Sequence, residues 1–134
     1  MKENGSILIV EGTLESLKLL TGILSADGHT VRPADSGELA LASAAAQPPE
    51  LILLNIRMPR MDGFEVLRRL KAGDATRDIP VVILNAITET AERVEGLKLG
   101  AVDFVSKPFQ KEELLSRIRT HLELSRSRRS LREK

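Results

Sequence analysis

Four polar side chains stand at the ends of strand-length segments, three of which are unbroken apolar runs. Glu11 follows Ile7 to Val10, Asn55 follows Leu51 to Leu54, Asn85 follows Val81 to Leu84, and Lys107 comes just after Val102 to Val105. A four-residue apolar run without alternation has the length and pattern of a strand buried on both faces, as in a parallel sheet. Open parallel sheets place their binding crevices beyond the carboxyl ends of the strands. A carboxylate, two amides and an ammonium at such ends can hold charge and hydrogen bonds. No Gly-rich phosphate loop, nucleophile–base pair or histidine cluster accompanies them, so no enzyme is expected. The chain has no Cys, which excludes disulfides and thiol catalysis and leaves zinc only His and carboxylates. Its two histidines, His29 and His121, are isolated and are expected at the surface.

The elements that must position these residues alternate. After the first run, Leu14, Leu17, Leu20 and Leu24 recur at helical spacing, and Asp27-Gly28 supplies a stop. Thr30-Val31 begins a short strand that Pro33 is expected to end. Asp35, with Glu38 three residues on, is expected to open an alanine-rich helix that Pro48-Pro49 terminates. Asp62, with Glu65 three residues later, caps a helix from about Gly63 to Ala72. A helix from about Thr90 to Leu99 closes at Gly100, and the last runs from about Lys111 with Leu114, Leu115, Ile118 and Leu122 facing inward. Five strands alternating with five helices predict an α/β fold, a doubly wound five-stranded parallel sheet of the flavodoxin-like (βα)5 type with strand order 2-1-3-4-5.

At 134 residues the chain is expected to be one domain that buries roughly two-thirds of its unfolded surface. With three Phe and no Trp or Tyr, the core must be aliphatic. No apolar run exceeds four residues and the start, MKENGS, does not resemble a signal peptide, so no membrane span is expected and the location is expected to be cytoplasmic. The net charge of +1 is uneven: five cations against Glu133 give residues 126–134 a charge of +4, leaving −3 for the rest.

The stretch Leu51 to Gly63, with Met58-Pro59 and Asp62-Gly63 after Asn55, resembles the phosphoacceptor segment of the receiver domains of two-component response regulators. Lys107-Pro108-Phe109 and Leu99-Gly100-Ala101 recur with it at the family's intervals, and the resemblance covers Ile7 to about Leu122. It implies a signalling domain that takes a phosphoryl group from a histidine kinase on an aspartate at the end of the third strand. Here that place is held by Asn55, which has no carboxylate to attack with. The family's acid pair after the first strand reads Glu11-Gly12. Its Ser or Thr at the end of the fourth strand reads Asn85, followed by the small Ala86 that the family expects. The lysine is kept as Lys107, and the aromatic on the fifth strand is matched by Phe104. Arg57 lies where the family contributes a backbone carbonyl to magnesium. Pro108 is expected to follow a cis peptide bond.

An intact receiver pocket sets three carboxylates against one lysine, a deficit that magnesium neutralises. Glu11 and Lys107 alone sum to zero, so magnesium binding is expected to be weak or lost and no cofactor is implied. Lys107 and Glu11 are expected to form a structural ion pair, Asn55 and Asn85 to satisfy each other and nearby backbone, and the Arg57 side chain to be solvated. An engineered Asp→Asn replacement of a conventional receiver would account for Asn55 alone. It leaves Gly12 and Asn85 unexplained, which favours a naturally degenerate pseudo-receiver.

Such a domain works through surfaces. The resemblance implies contacts through the fourth helix, fifth strand and fifth helix, where Glu92, Arg93, Glu95, Lys98, Glu113, Arg117 and Arg119 offer mixed charge. The expected partners are a histidine kinase or a fused output module, and a second copy of the chain. Residues 1–122 are expected to form the receiver-like domain and residues 123–134 a basic helical extension. In that extension Leu124 and Leu131 stand one heptad apart, and no Gly or Pro interrupts the helix formers. Nucleic acid is not expected as a partner: no aromatic is interleaved with the tail's cations and no recognition motif precedes them.

Overall fold

Every apolar run singled out in the sequence becomes a strand of one parallel sheet. The computed structural model describes residues 6–58, 61–85 and 90–133, with the side chains of the last helix described through Arg128. In chain order the elements are β1 (Ser6–Val10), α1 (Leu14–Ala26), β2 (Thr30–Ala34), α2 (Gly37–Ala46), β3 (Leu51–Asn55), α3 (Gly63–Ala72), β4 (Val81–Asn85), α4 (Thr90–Lys98), β5 (Asp103–Ser106) and α5 (Lys111–Glu133). The strands lie in the order β2-β1-β3-β4-β5, as the alternation predicts, and all four pairings are parallel.

Successive side chains of a strand point to opposite faces, and the core divides accordingly. Ile7 and Ile9 pack with Leu51, Leu53, Val82 and Leu84 beneath α1 and α5, through Leu17, Leu20, Leu24, Leu114, Ile118 and Leu122. Leu8, Val10, Ile52, Leu54 and Ile83 face the other way, onto Ala40 and Ala44 of α2 and Val66, Leu67 and Leu70 of α3. The alanines that make α2 a smooth helix also let it lie close to the sheet.

Local chemistry sets the helix starts. Thr13, Ser36 and Asp62 are the N-caps of α1, α2 and α3, and their side-chain oxygens accept from Ser16 N, Leu39 N and Glu65 N. Ser36, not Asp35, therefore opens α2; the helix begins one residue later than the acidic pair suggests. β2 also runs through Pro33 to Ala34. Because β2 is an edge strand, the missing proline N–H costs no ladder bond on its open side. Gly63 allows α3 to start hard against the exit of β3: a Cβ there would lie 2.5 Å from Ile56 Cα. The Lys107–Pro108 peptide is cis.

Neither histidine is a free surface residue. His29 is buried directly after the Gly28 turn, with Nε2 3.1 Å from Asp27 Oδ2. His121 is partly buried, with Nε2 3.0 Å from Asp103 Oδ2. Each ring is held by a carboxylate that the sequence spacing did not pair with it.

Candidate functional site

The register gathers the four strand exits. Val10 pairs with Leu54, Asn55 with Leu84, and Asn85 with Ser106, so Glu11, Asn55, Asn85 and Lys107 emerge at the same edge of the sheet. The exits are tied by backbone bonds from Glu11 N to Ala34 O (3.0 Å) and from Lys107 N to Asn85 O (2.8 Å).

Glu11 is the centre of the crevice and is only 2% exposed. Its Oε2 accepts from Lys107 Nζ at 2.8 Å, forming the ion pair expected of these two residues. Its Oε1 accepts from Asn55 Nδ2 at 2.8 Å and from Gly12 N at 3.0 Å. Asn55 Nδ2 also donates to Arg57 O at 3.2 Å. Both oxygens facing that nitrogen can only accept, so the NH₂ end of the amide must point at them. Glycine at position 12 thus contributes a backbone N–H to the carboxylate before it and no oxygen of its own.

Asn85 is fully buried, and its Nδ2 donates to Glu92 Oε1 at 2.9 Å. The expectation that the two asparagines would satisfy each other is replaced by one carboxylate for each: Glu11 for Asn55, Glu92 for Asn85. Glu92, expected on the outer face of α4, turns into the crevice instead. Its Oε2 pairs with Arg57 Nη2 at 3.2 Å, so the Arg57 side chain, though half-exposed, is engaged and not simply solvated. The sequence held one signal for this: Glu92 lies in the first turn of α4, whose positive end favours an acid facing the strand exits. Ala86, expected beside Asn85, lies outside the described residues, as does Pro59 of the Met-Pro pair.

Two carboxylates (Glu11, Glu92) thus meet two cations (Lys107, Arg57), and the crevice remains neutral. A hard divalent ion such as magnesium needs several oxygen ligands. Among the described residues the crevice offers Glu11 Oε1, Arg57 O and Asn55 Oδ1; the Asn55 NH₂ donates to the first two, and the Arg57 N–H donates to the third. The residues present do not fit the metal. Among the described residues no group of three or more His, Cys, Asp or Glu side chains could hold one.

The face formed by α4, β5 and α5 differs in part from its expected composition. Arg93 lies over the buried Phe104 ring, 5.1 Å from its centroid. Arg117 pairs with Asp103 at 2.8 Å and with Glu113 at 3.3 Å. Arg119 points away from this face, toward α1, where it pairs with Asp27. Val94 and Leu97 are about half-exposed beside the exposed Glu95 and Lys98. α5 continues unbroken to Glu133, and Arg126, beyond the last core position, pairs with Glu50 at 3.2 Å.

A family model, the response regulator receiver domain, matches residues 7–119. The chain is 42% identical over 114 residues to the response regulator PleD of Caulobacter vibrioides, covering 85% of this chain and 25% of that protein. It is 42% identical over 117 residues to the response regulator MprA of Mycobacterium ulcerans, covering 87% of this chain and 49% of that one. The chain therefore spans a quarter to a half of the length of these curated relatives. Among solved structures it superposes on a putative response regulator from Chloroflexus aurantiacus with a TM-score of 0.86 at 28% identity, over 90% of this chain and 98% of that one. NtrX from Brucella abortus superposes with a TM-score of 0.89 at 30% identity, over 97% of this chain and 29% of that one.

Proposed function

The chain belongs to the response regulator receiver family, and on that premise we propose that it is a two-component signalling domain that accepts no phosphoryl group and acts by contact with other proteins. The observation that carries this reading is the Asn55 amide. It stands at the acceptor position of the family, and its nitrogen donates at once to Glu11 and to the Arg57 carbonyl. The nucleophile is absent. Glu11 Oε1, the Arg57 carbonyl and Asn55 Oδ1 are each engaged in a hydrogen bond, and the charge that would retain a metal is balanced by Lys107 and Arg57. Phosphoryl transfer depends on such a metal and on positioned charge, so these losses agree with one another.

Asn55, Asn85, Glu11 and Lys107, with Gly12 and Arg57 beside them, then serve to hold the strand exits and α4 in one arrangement. Contacts run through α4, β5 and α5, where Val94 and Leu97 supply apolar area and Glu95 and Lys98 a charged border. A histidine kinase, a fused output module or a second copy of the chain is the partner. The part of α5 beyond Leu122 carries the signal out of residues 1–122, and Leu124 at its start is half-exposed; Leu131 lies beyond the described side chains.

Sedimentation velocity tests this reading. Acetyl phosphate with magnesium leaves the monomer–dimer distribution unchanged, whereas ending the chain at Arg128 lowers the dimer fraction. That cut, unlike one after Leu122, spares the Arg126–Glu50 pair, so the thermal transition of the body stays in place. A distribution that shifts with acetyl phosphate would overturn the phosphorylation-independent reading. One that ignores the truncation would leave α4, β5 and α5 as the dimer contact.

A further inference from the structure

At the opposite end of the sheet from the Glu11 crevice, a cavity of about 190 Å³ opens between the end of α3, the loop before β4, the turn after α4 and the outer part of α5. Its lining includes Lys71, Arg77, His121 and Arg128, against a single carboxylate, Asp78. Three of these side chains already have roles. Lys71 Nζ donates to Arg77 O and Ile79 O, both at 3.0 Å, Arg77 pairs with Asp74 at 3.1 Å, and His121 is held by Asp103. Arg128 has no hydrogen-bond or ion-pair partner among the described residues, and its guanidinium is close enough to disfavour the charge on Lys71.

Lys71 is more than half withdrawn from water. Burial lowers its proton affinity, Asp78 raises it, and Arg128 lowers it again. Two of its three N–H donors are spent on carbonyls, which leaves one. Gly100, at a positive φ of 112°, lets the chain turn close over the Lys71 stem: a Cβ there would come within 3.1 Å of it. The ammonium is therefore fixed in place while an unpartnered guanidinium lies across the cavity from it. The space equals roughly six water volumes at ~30 Å³ each, enough for a tetrahedral oxyanion with little else enclosed.

We propose that this cavity binds a small phosphate-bearing anion between Lys71 and Arg128. An arginine fork and a lysine ammonium together suit a tetrahedral dianion, the fork by paired hydrogen bonds and the ammonium as a point charge. Because Lys71 belongs to the body and Arg128 to the part of α5 beyond Leu122, the bound anion joins the two. It adds to the Arg126–Glu50 pair two residues earlier and stiffens the extension where it leaves the body. The site is independent of the Glu11 crevice.

Titration of the full chain, followed by amide NMR shifts, tests the proposal. The probes are inorganic phosphate and adenosine monophosphate, with chloride as the control at fixed ionic strength. Phosphate produces saturable shifts at Gly100, Val102 and Ser125, and Arg128→Gln weakens binding roughly tenfold. Arg57→Gln, in the opposite crevice, leaves it unchanged. Equal affinity for the two probes identifies free phosphate as the ligand, and tighter binding of the nucleotide identifies the phosphate end of a larger molecule. Shifts reproduced by chloride, shifts confined to the surroundings of Arg57 and Lys107, or affinity indifferent to Arg128→Gln would each overturn it.

Discussion

The Asn55 side-chain nitrogen lies 2.8 Å from Glu11 Oε1 and turns its second hydrogen to the Arg57 carbonyl. The contact works only because position 55 is an amide. A carboxylate there would face a buried carboxylate across the same gap and would need a cation between them.

Restoring the acid tests that charge balance. Asn55→Asp alone places two carboxylates beside Lys107 and recovers only weak magnesium binding. Gly12→Asp with Asn55→Asp adds the missing oxygen donor and binds magnesium at least roughly tenfold more tightly in a calorimetric titration, about 1.4 kcal/mol. Equal affinity for the single and double variants would show that Gly12 is not what the site lacks.

Lys107 is the other half of the balance. Its ammonium is 2.8 Å from Glu11 Oε2, and Glu11 is only 2% exposed. Lys107→Met leaves the carboxylate buried with the Asn55 amide and the Gly12 N–H as its donors, at a cost of about 3 kcal/mol in urea denaturation. Lys107→Arg keeps the charge and recovers part of the loss. An unchanged midpoint for Lys107→Met would mean that the pair contributes nothing to stability.

Much of this is legible in the sequence alone. Buried strands announce themselves as short apolar runs between turns, so Ile7, Leu51 and Val81 located the sheet and the polar residues after them located the crevice. Pairings between distant carboxylates and bases were not legible. Glu92 reaches Asn85 and Arg57 only because the first turn of α4 overhangs the exits of β3 and β4. His29 and His121 read as isolated because their partners, Asp27 and Asp103, lie in turns or on neighbouring elements. Likewise, the tolerance of β2 for Pro33 depends on its place at the sheet edge, and edge position belongs to topology and not to local sequence.

Asp103 links the stability of the domain to pH. Burial pushes its carboxyl pKa up, but hydrogen bonds from His121, Arg117 and the Phe104 N–H outweigh burial and hold it below the ordinary 3.8. A depressed folded-state pKa contributes stability that is present above the unfolded value and is lost as pH falls through the folded one. Asp103→Asn therefore lowers the thermal midpoint at neutral pH and flattens its decline below pH 3.8. A decline of undiminished steepness in the variant would assign acid sensitivity to other carboxylates, of which Asp27, held low by Arg119, is the first candidate.

The central claim is that the family's phosphoacceptor chemistry is absent from this crevice. Intact-mass spectrometry of the unmodified chain after incubation with acetyl phosphate and magnesium, or with a phosphorylated histidine kinase, tests it most directly. The account predicts a single species at the mass of the free chain. A stoichiometric phosphoryl adduct that survives acid and is cleaved by hydroxylamine, the signature of an acyl phosphate, would contradict it.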